Sequence, residues 1–252
     1  PPMFHGRAHM PSHLRHGERR ELNAVTCKQF AGEGCGIEQD EWVAVEALVP
    51  PHATVLEFGG RYGTTSCWLA HATNNSGRVA VVEPDERAHA ILRANRNANQ
   101  CNFAIVTGMI ASSASPSPRR FVPTCPNCYN SRTVPLLGAR RNEPFVPQVH
   151  WQYVQQRLGS KIDTLLFDCE GCLQDFVGGE EGRSLIAQAK LILIEEDGFN
   201  PHPGYYARFW SLLRKYGYRR TWQTADTTGM PKILHSAWSR SPVSAQSCEA
   251  FQ

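Results

Sequence analysis

Apolar residues recur along this chain at two spacings, and the alternation between the two sets the expected architecture. Thr54–Phe58 is a short apolar run that ends in Gly59-Gly60, the pattern of a buried strand meeting a turn. Gly63–Thr73 has helical spacing and closes on Asn74-Asn75-Ser76-Gly77, a loop signal. Arg78–Glu83 and Asn102–Thr107 read as strands, and Asp85–Asn99 between them as a helix with Ala88, Ile91, Leu92 and Ala94 near one side. A helix over 40–49, acidic at its start and stopped by Pro50-Pro51, precedes the first strand. Alternation of this kind implies parallel strands joined by right-handed crossovers.

The pattern lapses between residues 111 and 145. That stretch opens on a Ser/Pro run (Ser112 to Pro118) and goes on to Cys125-Pro126-Asn127-Cys128 among several Arg, and it reads as an irregular insertion over one edge of the core. Regularity returns with Val149–Leu158 (helix), Ile162–Asp168 (strand) and Gly171–Lys190 (helix, broken near Gly178-Gly179). Leu191–Glu195 is then a strand, Tyr205–Tyr216 a helix, and Tyr218–Thr224 and Ile233–Trp238 two further strands. Seven strands with helices between the first five describe one doubly wound α/β domain over residues 38–240, with 111–145 inserted. Residues 1–37 form an irregular, basic, His-rich N-terminal arm, and 241–252 a tail.

Composition narrows the function classes only a little. Hydrophobic residues are 41% and charged residues 19% of 252, and no apolar run approaches the ~20 residues that span a bilayer. A net charge of +3 is too balanced for the basic face that nucleic acid requires. The nine cysteines are an odd number. Cys67, Cys101 and Cys169 fall inside regular segments, where Cys behaves as a small hydrophobe, so a reducing compartment is expected. Cys125 and Cys128 read as a loop disulfide or free thiols before a zinc site, so no metal is expected. The chain opens on Pro1-Pro2, which reads as a processed or partial start.

In an open parallel sheet, ligands bind beyond the carboxyl ends of the strands at the switch of strand order. After the first strand come Gly59-Gly60-Arg61-Tyr62-Gly63, and the second ends in Glu83, an acid placed to accept ribose hydroxyls. Gly-x-Gly-x-x-Gly is absent, so a dinucleotide is not indicated. Glu57, two residues before the glycines, points to a cationic nucleoside cofactor such as S-adenosylmethionine. The fourth strand supplies Asp168-Cys169-Glu170-Gly171, two carboxylates flanking a strand end, suited to proton transfer or to anchoring an amine. Acids ending strands one, two, four and five suggest a negative rim. His150 and His202 are further candidate bases near the same loops.

The strand-four motif, with Val146-Pro147 and Trp151 before it and Leu193-Ile194-Glu195 after it, resembles the FkbM-type methyltransferases over about residues 52–238. The resemblance implies a Rossmann-like, seven-stranded class I methyltransferase sandwich using S-adenosylmethionine, with O-methylation of a small-molecule or glycan hydroxyl as the activity. It implies that Glu57, Gly59, Gly60 and Gly63 line the methionine portion and Glu83 the ribose. Asp168 and Glu170 would face the acceptor, with Asp168 also at the cofactor and His150 as an alternative base. Gly60-Arg61 and Leu166 depart from the family, which has Ala-Asn and Lys at these places. With the long arm and the insertion, those departures support a second expectation: a non-catalytic, methyltransferase-like subunit held in a multi-protein assembly through 1–37 and 111–145.

Overall fold

The computed structural model describes residues 30–32, 39–111, 119–122, 132–135, 145–169, 172–196, 204–225 and 234–240. The N-terminal arm (apart from 30–32), the C-terminal tail, most of the insertion, Cys125, Cys128, Glu170, Gly171 and His202 therefore lie outside the described residues.

Helix α1 (Gln39–Leu48) leads into β1 (Val55–Phe58), α2 (Thr64–Ala72), β2 (Val79–Glu83), α3 (His89–Ala98) and β3 (Ala104–Thr107). Two-residue β4 (Met109–Ile110) follows, then β5 (Arg119–Val122), β6 (Arg132–Pro135) and two-residue β7 (Gln148–Val149). The chain continues through α4 (Trp151–Leu158), β8 (Thr164–Phe167), α5 (Cys172–Gly178), α6 (Glu180–Gln188) and β9 (Leu191–Glu196). It closes with α7 (Tyr205–Lys215), β10 (Arg219–Ala225) and β11 (Leu234–Ser239).

The seven-stranded sheet runs β3-β2-β1-β8-β9-β11-β10. Strands β3 to β9 pair in parallel, while β11 runs antiparallel to both β9 and β10. From β1 the chain moves outward to β2 and β3, then returns to β8 on the other side of β1. The switch point thus falls between β1 and β8, whose carboxyl ends are level: Phe58 pairs with Val82 and with Phe167.

Successive strand residues point to opposite faces, and here both faces are covered, so β1, β2 and β8 are buried at every position. On one face Val55, Val79, Val81, Leu166 and Leu193 pack against Trp42 and Val45 of α1, Trp68 and Leu69 of α2, and Leu92 of α3. On the other, Leu56, Phe58, Leu165, Phe167 and Ile192 meet Trp151 of α4, Phe176 of α5, Leu185 of α6 and Phe209 of α7. Trp42 stacks on Trp68 with centroids 5.5 Å apart, and Phe58 on Phe167 at 4.5 Å.

Three expectations change. The third helix starts at His89 rather than Asp85, and Ala94 is exposed; the buried side is Ala88, His89, Leu92, Asn95 and Asn99. Asn95 is buried because its amide bridges the chain, donating to the carbonyls of Ala31 (3.0 Å) and Tyr62 (2.8 Å) and accepting the Ala31 N–H (2.8 Å). The insertion is not wholly irregular, since β5 and β6 form an antiparallel pair and β4 pairs with β7 at its base. Finally, Cys67 is bonded to Cys101 and Cys169 to Cys172 as disulfides. These residues are paired rather than acting as the small hydrophobes expected, so they no longer support the expectation of a reducing compartment, which keeps only the odd cysteine count.

Tyr218, just before β10, is buried, and its phenol faces the carbonyls of Ile186 (2.8 Å) and Ala189 (2.5 Å). Those groups lie at the end of α6, where carbonyls have no helical partner. Tyr218→Phe removes that donor from the Ala189 carbonyl, while Ile186 keeps the Arg240 guanidinium (2.8 Å), and is expected to cost about 1 kcal/mol in urea unfolding. An unchanged midpoint would mean that another donor closes the helix end.

Candidate functional site

The turn after β1 is shaped by its packing. Gly59 has φ +93°, and a Cβ there would lie 1.6 Å from the Asp168 carbonyl oxygen. A Cβ on Gly63 (φ +85°) would come 2.6 Å from Leu92, and one on Gly60 2.1 Å from Val81. All three glycines are explained by close approach to the chain's own atoms, before any ligand is considered. Arg61 also adopts positive φ (36°), with its guanidinium 4.9 Å from the centre of the Tyr62 ring.

Glu83 closes this turn. The N–H groups of Gly60 (3.2 Å) and Arg61 (2.7 Å) donate to its Oε2, and that of Asp85 to its Oε1 (2.6 Å). The side chain is buried, and burial pushes its carboxyl above the usual range, partly countered by the Asp85 and Arg61 N–H bonds. Beside it, burial pushes the Asp85 carboxyl up, but the two-point bond from Arg87 (2.8 and 2.7 Å) and the Arg87 N–H hold it below its usual value. His89 Nε2 lies 2.9 Å from the Glu83 carbonyl. Neither Asp85 nor His89 was singled out from sequence, although Glu83-Pro84-Asp85 at a strand end was the available signal.

The β8 motif divides between two ends of the strand. Asp163 is at the amino end, where its Oδ1 accepts from Thr54 N–H (3.0 Å) and Thr164 Oγ1 (3.1 Å). Asp168 is at the carboxyl end, half-buried, with its N–H donating to the Phe58 carbonyl (3.0 Å). Gly59, Gly60, Gly63, Glu83 and Asp168 are thus brought together across β1, β2 and β8. Directly after Asp168 comes the Cys169–Cys172 disulfide.

Glu57 is placed differently from the expectation of an open acidic rim. It is 1% exposed and accepts the Ser66 hydroxyl (2.6 Å), so its carboxylate ties β1 to the first turn of α2. Next to Ser66, Thr65 donates to Glu41 of α1 (2.8 Å). His150 is exposed on the turn between β7 and α4. Among the described residues no helix is long and apolar enough to cross a membrane.

No family profile and no curated protein sequence matches this chain. Solved structures do. A proposed rRNA methylase from Clostridium thermocellum is 8% identical, over 81% of this chain and 94% of its own, with a TM-score of 0.50. A proposed O-methyltransferase from Klebsiella pneumoniae is 12% identical, over 91% and 94%, at TM-score 0.48. An O-methyltransferase from Bacillus cereus, solved in complex with SAH, is 15% identical over 85% and 82%, at 0.46. At these identities the likeness concerns the fold. With the strand order, the likeness to the Clostridium structure shows the fold alone, a Rossmann-like seven-stranded α/β sandwich of the kind that this methylase has.

Proposed function

We propose that this chain is an S-adenosylmethionine-dependent methyltransferase that methylates a hydroxyl of a small-molecule or glycan acceptor. The observation that carries the reading is the meeting of the Gly59–Gly63 turn, Glu83 and Asp168 at the switch point of this sheet. The donor set fits the cofactor in part. A carboxylate offers about four acceptor positions, and three backbone N–H groups already use those of Glu83, which leaves room for one ribose hydroxyl rather than two. The buried Glu57 would support the turn rather than touch the methionine portion.

When bound, S-adenosylmethionine supplies an electrophilic methyl group. The chain's part is to position the acceptor at attack distance and to take its proton. Asp168, half-buried at the strand end, is the group proposed for the proton, with Glu170 and His150 as the other candidates. The narrower FkbM-type assignment and the choice of oxygen rest on the Asp168–Gly171 and Leu193–Glu195 motifs.

One observation favours a second reading. The Glu83 clamp, closed by the chain's own N–H groups, would equally hold the turn of a methyltransferase-like subunit without activity. Calorimetric titration with S-adenosylmethionine separates the two. Binding is expected, weakened about ten- to a hundred-fold in a folded Glu83→Ala variant, since a hydrogen bond to a charged group contributes about 1.5–3 kcal/mol. No heat at millimolar cofactor from a folded sample would reject the enzyme and leave the subunit.

A further inference from the structure

A second constellation lies on the α1–α3 face of the sheet, away from the Glu83 clamp. His235 of β11 is paired in register with Glu195 of β9, so both side chains stand on the same face. Leu166 and Leu193, one and two strands over from β1, share that face. Glu41, in the first turn of α1, comes down onto it. One ligand atom from each of Glu41, Glu195 and His235 lies within 4.8 Å of the other two. Glu41 and His235 are each 4% exposed.

Burying charge is costly unless it is paired or coordinates a metal, and here a half-buried Glu195 meets the buried Glu41, which also accepts the Thr65 hydroxyl (2.8 Å), and the buried His235. A cavity of ≈ 10 Å³ is lined by two of the three, Glu41 and His235, together with Leu166, Leu193 and Trp222. Such a space holds about one water-sized occupant. The geometry suits an ion: ligands about 2.1 Å from a metal stand up to ~4.2 Å apart across it. The three ligand atoms, all within 4.8 Å of one another, fall in that range or need only small side-chain adjustments to reach it.

We infer that Glu41, Glu195 and His235 form a divalent transition-metal site that fastens α1 across the carboxyl end of β9 and the amino end of β11. One imidazole nitrogen with two carboxylate oxygens suits Zn²⁺ or Mn²⁺, whereas Mg²⁺ and Ca²⁺ take oxygen ligands throughout. The inference does not depend on the cofactor reading, because it uses none of the residues at the switch point.

The test is equilibrium dialysis of the metal-stripped full chain against ZnCl₂, MnCl₂ and MgCl₂, with metal content and thermal midpoint as readouts. The His-rich arm is a competing binder, so a variant with His5, His9, His13 and His16 all changed to Ala is dialysed in parallel. One equivalent of Zn²⁺ or Mn²⁺ is expected in that arm variant, together with a raised thermal midpoint. On the same background His235→Ala and the isosteric Glu195→Gln should each weaken binding by more than the ~10–100-fold typical of losing an outer-shell partner. If His235→Ala does not fold, Glu195→Gln decides alone. Three results would overturn the site: no binding to the arm variant, which would leave a buried ion pair or hydrogen-bonded trio; unchanged affinity in the folded core variants; or Mg²⁺ binding as tightly as Zn²⁺ and Mn²⁺.

Discussion

Gly59→Ala is expected to remove a large share of the stability of this chain. Two costs combine at the position. An L-residue held in the left-handed region loses about 1–2 kcal/mol, and Gly59 has φ +93°. The added methyl would also lie 1.6 Å from the Asp168 carbonyl oxygen, a backbone atom fixed between β8 and the next turn. Forcing such an atom aside costs about 1–3 kcal/mol more. A loss of about 2–5 kcal/mol is a large share of the ~5–15 kcal/mol by which domains are folded.

Gly159→Ala isolates the two costs. Gly159 is likewise at positive φ (+65°), but no atom lies within 4 Å of its Cβ position, so only the conformational part applies. Urea unfolding of both variants should place Gly59→Ala well below Gly159→Ala. Equal midpoints would mean that β1 and β8 do not approach each other as described. The same comparison bears on how the motif is read, since it tests whether the glycines serve the sheet itself.

The second large effect concerns the Cys67–Cys101 disulfide, which ties α2 to the segment entering β3 across a sequence separation of 34. Closing a loop of that size in the unfolded chain is expected to stabilise the fold by roughly 3–4 kcal/mol, between the values for 15- and 100-residue loops. Both cysteines are buried, at 0% and 5% exposure, so reductant reaches them only when the chain opens. Unfolding in reductant, or of Cys67→Ala/Cys101→Ala, should lower the melting temperature by roughly 6–16 °C. Alkylation of the denatured protein without reductant should leave these two cysteines unmodified. Their labelling as free thiols would restore the expectation of unpaired cysteines.

Periodicity is a local property, and what it encodes was legible. The β1-α2-β2-α3-β3 alternation, the strands ending at Phe167 and Glu196 and the two closing strands lie close to where apolar spacing and Gly/Pro punctuation put them. The placing of Gly59, Glu83 and Asp168 at strand ends followed too, because in parallel sheets all the carboxyl ends share one edge. What that edge does with them was not legible. Glu57 reads as a rim carboxylate, yet it is buried on the Ser66 hydroxyl, since β1 is covered on both faces and α2 starts directly above it. Glu83 reads as a ribose acid, yet three N–H groups converge on it because the turn at Arg61 folds back over β2.

Other features depend on distant parts of the chain meeting. Nothing local distinguishes Cys67 and Cys101 from core hydrophobes; they become partners only when α2 is laid beside the segment entering β3. Arg119–Val122 and Arg132–Pro135 lack the alternation of a half-buried pair, and their pairing is a matter of register between two short segments. Glu41, Glu195 and His235 belong to a helix before the sheet and two strands near its end. No spacing rule links them, and it is the placing of β11 antiparallel beside β9, with α1 across both, that brings the three groups to one point. The sequence by itself determined which segments are strands and helices and which residues end them, through local periodicity and turn chemistry. Only the tertiary structure decided which of those residues face one another, because strand order and face coverage bring together groups that local spacing does not relate.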